Sequence, residues 1–132
     1  MKEYIRINND YFDDKYYYNC CGQKDYVNGD WSKKAFQRIA RRIVDEFKPK
    51  SVFDAGCACG HLVAALRDFG VEAYGIDISE YAIKNIREDI RPYCAVASLA
   101  SELPPSFPGR FDLVTNIEVL EHIPRKGRLK SA

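Results

Sequence analysis

The chain has 132 residues, of which 46% are hydrophobic, and this is enough to fold as one globular domain without disulfide or metal support. Its 20 basic and 19 acidic side chains leave a formal charge of +1, so no global charge attracts nucleic acid or an anionic membrane. The N-terminus lacks the apolar core of a signal peptide, and no run approaches the roughly 20 apolar residues that span a bilayer, so we expect a cytoplasmic protein with no membrane partner.

Aromatic side chains dominate the first segment, residues 1–31, where they lie among Asn, Asp and Gly without a helical or strand period. Eight aromatic residues give more apolar surface than a disordered tail carries. The segment is therefore predicted to be an ordered arm, which either packs against the core or forms a lid over a ligand.

Apolar segments and stop signals then alternate along residues 32–124, the predicted domain, before a basic tail at residues 125–132 that we expect to be solvated. The expected strands are residues 51–55, 72–77, 93–97 and 111–115, with a proline-rich loop at residues 98–109. The expected helices are one that Ser32 caps and Lys48-Pro49 ends, one over residues 61–69, one from the Ser79 cap to Pro92, and one that begins near Ile117. This alternation predicts an α/β fold with a doubly wound parallel sheet.

The turn from Asp54 to Gly60 follows the first predicted strand, where open parallel sheets bind their ligands. Gly56 can adopt a positive φ, and Gly60 lets the next helix pack close to the strand. Ala58 places a methyl group where a pyrophosphate site needs glycine, and the Asp54 carboxylate repels phosphate but attracts a cation. Asp77 ends the second strand and can accept hydrogen bonds from two ribose hydroxyls. These features predict a positively charged nucleoside ligand and disfavour a dinucleotide such as NAD.

The cysteine pattern bears on the compartment. Five cysteines are an odd number and include no C-x-x-C pair. In a chain with no secretion signal, this predicts reduced and mostly buried thiols. They are Cys20, Cys21, Cys57, Cys59 and Cys94.

Three motifs in this order resemble those of class I S-adenosylmethionine-dependent methyltransferases of the type 11 and type 12 groups. They are Asp-Ala-Gly-Cys-Ala-Cys-Gly from Asp54, Gly-Ile-Asp-Ile-Ser around Asp77, and Phe-Asp-Leu-Val-Thr-Asn-Ile-Glu-Val-Leu-Glu-His-Ile from Phe111. The resemblance covers about residues 33–124, and the commoner family turn has glycine in place of Ala58. It implies S-adenosyl-L-methionine as cofactor, S-adenosyl-L-homocysteine as product, and a Rossmann-like sheet with strand order 3-2-1-4, the N-terminal half of the family's seven-stranded fold.

The same resemblance implies which residues contact the cofactor. Asp54 would lie near the ammonium group of the methionine moiety, and Asp77 would hold both ribose hydroxyls. Adenine would be contacted mainly by backbone and apolar groups, since Leu99 stands where the family often has an acidic residue. The implied contacts are Asp54, Gly56, Cys57, Ala58 and Gly60 on the turn, Asp77 and Ile78 after the second strand, Leu99 and Ala100 near adenine, and Asn116, Ile117 and Glu118 near the methionine moiety.

Glu118, Glu121 and His122 share one face of a helix and are candidates for the reaction itself. They could structure the helix start, supply His122 or Glu121 as a general base, or contribute to a divalent-metal site. The Glu-Val-Leu-Glu-His string resembles ubiquinone-pathway O-methyltransferases. Glu-x-x-Glu-His also resembles the metal-binding face of small-RNA 2′-O-methyltransferases, which need a downstream histidine that this sequence lacks. We therefore predict no metal site, and O-methyl transfer to a small hydroxylated molecule.

Strand four would lie at an edge of the sheet, because the sequence supplies only the half written 3-2-1-4. An edge strand offers unpaired backbone groups to another chain, so a truncated domain that forms a homodimer through this edge is predicted. A catalytically inactive module that binds S-adenosylmethionine or S-adenosylhomocysteine, or that serves dimerisation, is the alternative. An NAD-dependent enzyme is disfavoured by Ala58.

Overall fold

A computed structural model describes Val27 and residues 29–117 of the chain. Over these residues the strands form one parallel sheet in the order β3-β2-β1-β4, which confirms the predicted topology. The aromatic arm up to residue 26, the helix expected after Ile117 and the basic tail lie outside the described residues. The elements are α1 (Asp30–Phe47), β1 (Ser51–Ala55), α2 (His61–Asp68), β2 (Glu72–Asp77), α3 (Glu80–Lys84), a 3₁₀ helix (Glu88–Tyr93), β3 (Cys94–Val96) and β4 (Leu113–Thr115).

The start of α1 differs from the prediction. The N-cap is Gly29, and Ser32 lies buried inside the first turn, where its hydroxyl donates to the Gly29 carbonyl at 3.0 Å. The prediction that Ser32 caps the helix was wrong, because a serine hydroxyl can also bond back to a preceding carbonyl within the turn. The predicted end is confirmed: Lys48 adopts a left-handed conformation with φ 45°, and its N–H donates to the Val44 carbonyl.

The segment after β2 is divided into two helices. Ser79 caps α3 as predicted, and its Oγ accepts the Ala82 N–H at 3.0 Å. However, α3 ends at Lys84, and the separate 3₁₀ helix that follows contains Pro92. The prediction of one helix up to Pro92 was wrong, because the N–H groups of Asn85 and Ile86 donate three residues back, to the Ala82 and Ile83 carbonyls, which tightens the last turn and ends the α-helical pattern.

The two outer strands are shorter than predicted, while the loop between them is confirmed. β3 loses one residue at each end because Tyr93 ends the 3₁₀ helix and Ala97 follows the last ladder residue. β4 begins two residues late, since the Asp112 side chain accepts the backbone N–H groups of Lys50 and Ser51 at the start of β1 instead of extending the ladder.

The sheet separates two hydrophobic clusters, which we call the helix face and the aromatic face. On the helix face α1 and α2 pack over Val52 and Ala73, and Ile86 and Ile90 are buried there as predicted. On the aromatic face, loop residues complete the cluster that the strands begin. Its members are Phe53, Ala55, Ile76 and Phe107, with Tyr74, Ala95, Ala97, Leu103 and Phe111 packed against them.

Two further predictions concern the core and the membrane. Cys57, Cys59 and Cys94 are buried, as expected, whereas Cys20 and Cys21 lie outside the described residues. Over the described ranges, no helix is long and apolar enough to cross a bilayer.

Candidate functional site

The carboxyl ends of the strands lie along one edge of the sheet, and the turn between β1 and α2 occupies the middle of this edge. The strand order places β1 between β2 and β4. The N–H groups of Gly56 and Cys57 both donate to the Ile76 carbonyl at 2.8 Å. The turn therefore folds back over the end of β2, which is the position where open parallel sheets bind ligands.

Three residues of the turn have positive φ angles: 85° at Gly56, 51° at Ala58 and 76° at Gly60. A Cβ at Gly60 would lie 2.9 Å from Cδ1 of Ile90, so both conformation and packing require glycine there. Ala58 adopts the left-handed conformation in spite of its Cβ, which costs about 1 kcal/mol. Its methyl group packs with a small cluster that includes Ile78. The family glycine is thus replaced without loss of the conformation that a glycine would favour.

The Asp77 carboxylate is held by the turn that it faces. Its Oδ2 accepts the Ala58 N–H at 2.8 Å, and its Oδ1 accepts the Ser79 N–H at 2.8 Å. Burial raises the pKa of Asp77 above its usual value, and the N–H groups of Ser79, Ala58 and Ile78 oppose this rise. Because each carboxylate oxygen can accept two hydrogen bonds, the fixed group keeps acceptor capacity for further donors.

Asp54 lies beneath the turn and is only 4% exposed. Thr115 is its partner in register on β4, and the Thr115 hydroxyl donates to Asp54 Oδ1 at 2.8 Å. Burial raises the pKa of Asp54 to about 7; the Thr115 hydrogen bond opposes this rise, and repulsion from Asp77 adds to it. The site thus contains one buried and one partly buried carboxylate close enough to repel each other, an arrangement that favours a cationic ligand.

Gly75 makes room for the turn to pack on the sheet. In register, Cys94, Gly75, Asp54 and Thr115 form a row across the four strands on the helix face. A Cβ at Gly75 would lie 2.6 Å from Cβ and 2.8 Å from Sγ of Cys57, so the side chain of Cys57 occupies the space that glycine leaves. The pKa of the Cys57 thiol lies well above its usual value, because it hydrogen-bonds to Cys94 and is buried.

The remaining predicted contacts lie on both sides of the turn along the same edge. Ile78 follows β2 and is partly buried, whereas Leu99 and Ala100 are exposed in the loop after β3, beside the Asp77 side of the turn. The Ala100 N–H donates to Ser98 Oγ at 3.1 Å. Asn116 and Ile117 are exposed after β4, on the Asp54 side.

The candidates for the reaction fall beyond this part of the chain. Glu118, Glu121 and His122 lie outside the described residues, so their roles stay predictions. Among the residues that the structure does describe, no group of three or more His, Cys, Asp or Glu side chains is placed to hold a metal ion.

Sequence reasoning missed Thr115 and Gly75. Thr115 was treated only as the end of an apolar strand. Its position beside Asp54 follows once β4 is placed next to β1 with the carboxyl ends of the two strands aligned. Gly75 gives no polar signal, and its role depends on the path of the turn above it.

A comparison with known families and proteins agrees with this geometry. The family model described as "Methyltransferase domain" matches residues 27–129. The chain is similar to a protein of Thiobacillus denitrificans named ubiquinone biosynthesis O-methyltransferase, at 40% identity in an alignment 92 residues long that covers 63% of this chain and 39% of that protein. A protein of the same name from Methylococcus capsulatus is 39% identical in an alignment 79 residues long that covers 57% of this chain and 33% of that protein.

A solved structure is also similar. The crystal structure of magnesium protoporphyrin IX methyltransferase from Synechocystis PCC 6803, with bound SAM, superposes with a TM-score of 0.63 and 25% identity over 90% of this chain and 64% of that one. The chain spans between a third and two fifths of the length of the two curated relatives. The family match covers most of the sequence and includes the turn, Asp77 and β4. The chain therefore belongs to the methyltransferase domain family.

Proposed function

We propose that the chain binds S-adenosyl-L-methionine and contributes the cofactor site of an O-methyltransferase that acts on a small hydroxylated molecule. The observation that carries the proposal is the Asp77 carboxylate, which the Ala58 and Ser79 N–H groups hold at the edge of the sheet with acceptor capacity remaining. A ribose presents two neighbouring hydroxyls, and a fixed carboxylate accepts both.

The rest of the edge fits the other parts of this cofactor. Asp54 lies beneath the turn, and its negative charge suits the ammonium and sulfonium groups of S-adenosyl-L-methionine rather than a pyrophosphate. Leu99 and Ala100, next to the Asp77 side, offer apolar and backbone contacts for adenine. Gly56, Cys57, Ala58 and Gly60 provide the backbone of the turn, and Asn116 and Ile117 lie next to the Asp54 side, where the methionine moiety would be.

The proposed chemistry needs little from the protein beyond alignment. When bound, S-adenosyl-L-methionine supplies a methyl group on a sulfonium, which is already an activated leaving group. A hydroxyl acceptor must also lose a proton, for which His122 or Glu121 stays the predicted base. The choice of a small hydroxylated acceptor is supported by the curated relatives, which are named as O-methyltransferases of ubiquinone biosynthesis.

The proposal is tested by titration calorimetry of the 132-residue chain with S-adenosyl-L-homocysteine and, separately, with NAD. We expect S-adenosyl-L-homocysteine to bind and NAD not to bind. Asp77→Asn should weaken binding of S-adenosyl-L-homocysteine about a hundredfold, because two hydrogen bonds to a charged acceptor are disrupted. Asp45→Asn, which removes an exposed carboxylate from α1, should leave the affinity unchanged.

Two results would contradict the proposal. One is a folded wild-type chain that does not bind S-adenosyl-L-homocysteine. The other is an Asp77→Asn variant with wild-type affinity, since the carboxylate would then not hold the ribose.

The predicted homodimer and cytoplasmic location belong to the same proposal. In the described sheet β4 pairs with β1 on one side, and Val114 on this strand is 60% exposed. We propose that a second copy of the chain pairs along this edge. Sedimentation velocity should detect a dimer as the concentration rises, and a monomer at every concentration would refute it. The buried free thiols of Cys57 and Cys94 support a reducing compartment, which fractionation of the source cells would test.

A further inference from the structure

The hydrogen bond between Thr115 and Asp54 is a feature for which the family motifs give no role. Asp54 and Thr115 are opposite each other in register, and a β-branched threonine on a strand has few rotamers. The donor is therefore placed by the backbone of β4, and it holds Asp54 Oδ1 at 2.8 Å. At 4% exposure, the carboxylate has little contact with water that could replace this bond.

A buried carboxylate so placed is unfavourable unless a positive charge is brought near it. Cys57 of the turn packs against Gly75, the register partner of Asp54 on β2, and Asp77 adds a second negative charge nearby. A ligand with an ammonium group would relieve the repulsion between these carboxylates. The orientation of Asp54 would then decide how well its charge acts on that group.

We propose that Thr115 is a positioning residue for cofactor binding: its hydroxyl holds the Asp54 carboxylate beneath the turn as the counter-charge for the amino-acid end of the cofactor. This assignment rests on the proposed function, because it takes S-adenosyl-L-methionine or its product as the ligand. Thr115 acts through Asp54 and not through a contact of its own with the cofactor.

The assignment has a consequence for the pH dependence of binding. Burial raises the pKa of Asp54 to about 7, so the apo protein holds a proton there below that pH and ligand affinity should fall as the pH decreases. The Thr115 bond favours the ionised form, and its loss should move this fall in affinity to higher pH. Asp77 also acts on Asp54, and this interaction is retained when Thr115 is replaced; the neighbouring Cys57 thiol, whose pKa lies well above its usual value, stays neutral throughout.

The test compares two ligands that differ in the amino-acid end. S-adenosyl-L-homocysteine carries this end, whereas 5′-methylthioadenosine has the same nucleoside without it. Thr115→Val, which keeps the shape but removes the donor, should weaken S-adenosyl-L-homocysteine binding about tenfold at pH 7 and leave 5′-methylthioadenosine binding unchanged. Thr115→Ser keeps a hydroxyl and should restore binding to within about twofold of wild type.

Two further measurements separate positioning from a general structural effect. In an Asp54→Asn background, Thr115→Val should produce no further loss of S-adenosyl-L-homocysteine affinity, because the charge on which it acts is gone. A titration from pH 6 to pH 8.5 should place the fall in affinity of Thr115→Val at a higher pH than that of wild type. If Thr115→Val is unfolded in circular dichroism, Thr115→Ala is used for the same comparison.

The outcomes are distinguishable. If wild type binds both ligands and the variant matches wild type throughout this pH range, the assignment is wrong and the proposed function stands. Equal weakening of both ligands would also overturn it, since the loss would then reflect the edge as a whole. If wild type binds neither ligand, the proposed function fails and the assignment fails with it.

Discussion

Acidic side chains at the two ends of the sheet differ in their exposure to water and in their partners. At the amino ends of the strands, exposed Asp112 accepts the N–H of Lys50 at 2.7 Å and that of Ser51 at 3.4 Å, while its own N–H donates to Ser51 Oγ at 3.0 Å. At the carboxyl ends, Asp54 is buried and Asp77 is partly buried, and the two carboxylates repel each other. The exposed carboxylate at the first end accepts backbone N–H groups, whereas the two carboxylates at the second end lie near each other with no cation among their described interactions.

A cation near the amino ends is also held by contacts within the fold. The Arg67 guanidinium lies 3.2 Å from the ring centroid of Tyr93 and 5.0 Å from that of Tyr74, and its Nε donates to the Ala73 carbonyl at 2.7 Å. Aromatic faces and a carbonyl stabilise this cation within the fold. Burial raises the pKa of both Asp54 and Asp77, and neither has a cation among its described interactions, which supports the proposal that the carboxyl ends take a cationic ligand.

Packing rather than ion pairing is expected to hold the turn at the carboxyl ends, and Gly75→Ala tests this most severely. The new Cβ would lie 2.6 Å from Cβ of Cys57, and the nearest atom of Val63 would be at 3.0 Å. We expect the free energy of unfolding to fall by about 3 kcal/mol, because the overpacked turn must move. Urea denaturation measures this loss, and affinity for S-adenosyl-L-homocysteine should fall with it.

Gly109→Ala is the matched control, since a Cβ there would meet nothing within 4 Å. Its stability should differ from wild type by less than about 0.5 kcal/mol. Adding Cys57→Gly to Gly75→Ala should recover part of the loss, because the closest clash is removed. If Gly75→Ala is as stable as wild type, Cys57 does not fix the turn in the way the structure indicates.

The neutralisation of Asp54 is expected to have the next largest effect, and its sign is opposite. With a folded-state pKa of about 7 against an ordinary value of 3.8, the protonated carboxyl favours the folded state below pH 3.8, and this contribution is lost as the pH rises to about 7. Asp54→Asn should therefore be more stable than wild type by about 2 kcal/mol at pH 8, with the difference vanishing near pH 4. Denaturation at a series of pH values measures it, with Asp45→Asn as the control for an exposed carboxylate. Equal stabilities of Asp54→Asn and wild type from pH 4 to pH 8 would show that burial of this charge is compensated in the fold.

The sequence predicted which residues lie at the carboxyl ends of the sheet, but not the side-chain contacts between them. The parallel α/β sheet followed from alternating apolar segments, the strand order followed from the family resemblance, and the positions of Asp54, Asp77 and the turn followed from motif spacing. The pairing of Asp54 with Thr115 could not be read from local pattern, because it joins residues 61 positions apart and depends on register between β1 and β4.

Local chemistry also misled where two conformations compete for the same residue. Ser32 has the side chain of an N-cap, but its hydroxyl bonds back to Gly29 once the helix begins at Asp30. At Ala58 the prediction that its methyl group disfavours a pyrophosphate stays a prediction, and only the left-handed conformation, with the N–H directed to Asp77, was not foreseen. Propensity predicts which residues can take a role, and tertiary contacts select among the roles.

The smallest effect is expected at the amino ends. Substitution there should lower the free energy of unfolding, whereas Asp54→Asn should raise it. Asp112→Ala removes the acceptor for the Lys50 and Ser51 N–H groups, both of which water can reach. The free energy of unfolding should decrease by about 1 kcal/mol, because only exposed hydrogen bonds are lost. Binding of S-adenosyl-L-homocysteine should not change, since Asp112 lies at the opposite ends of the strands from the turn. If Asp112→Ala kept wild-type stability but lost affinity, the roles assigned to the two ends would be wrong, because Asp112 would then contribute to ligand binding and not to the pairing of the strands.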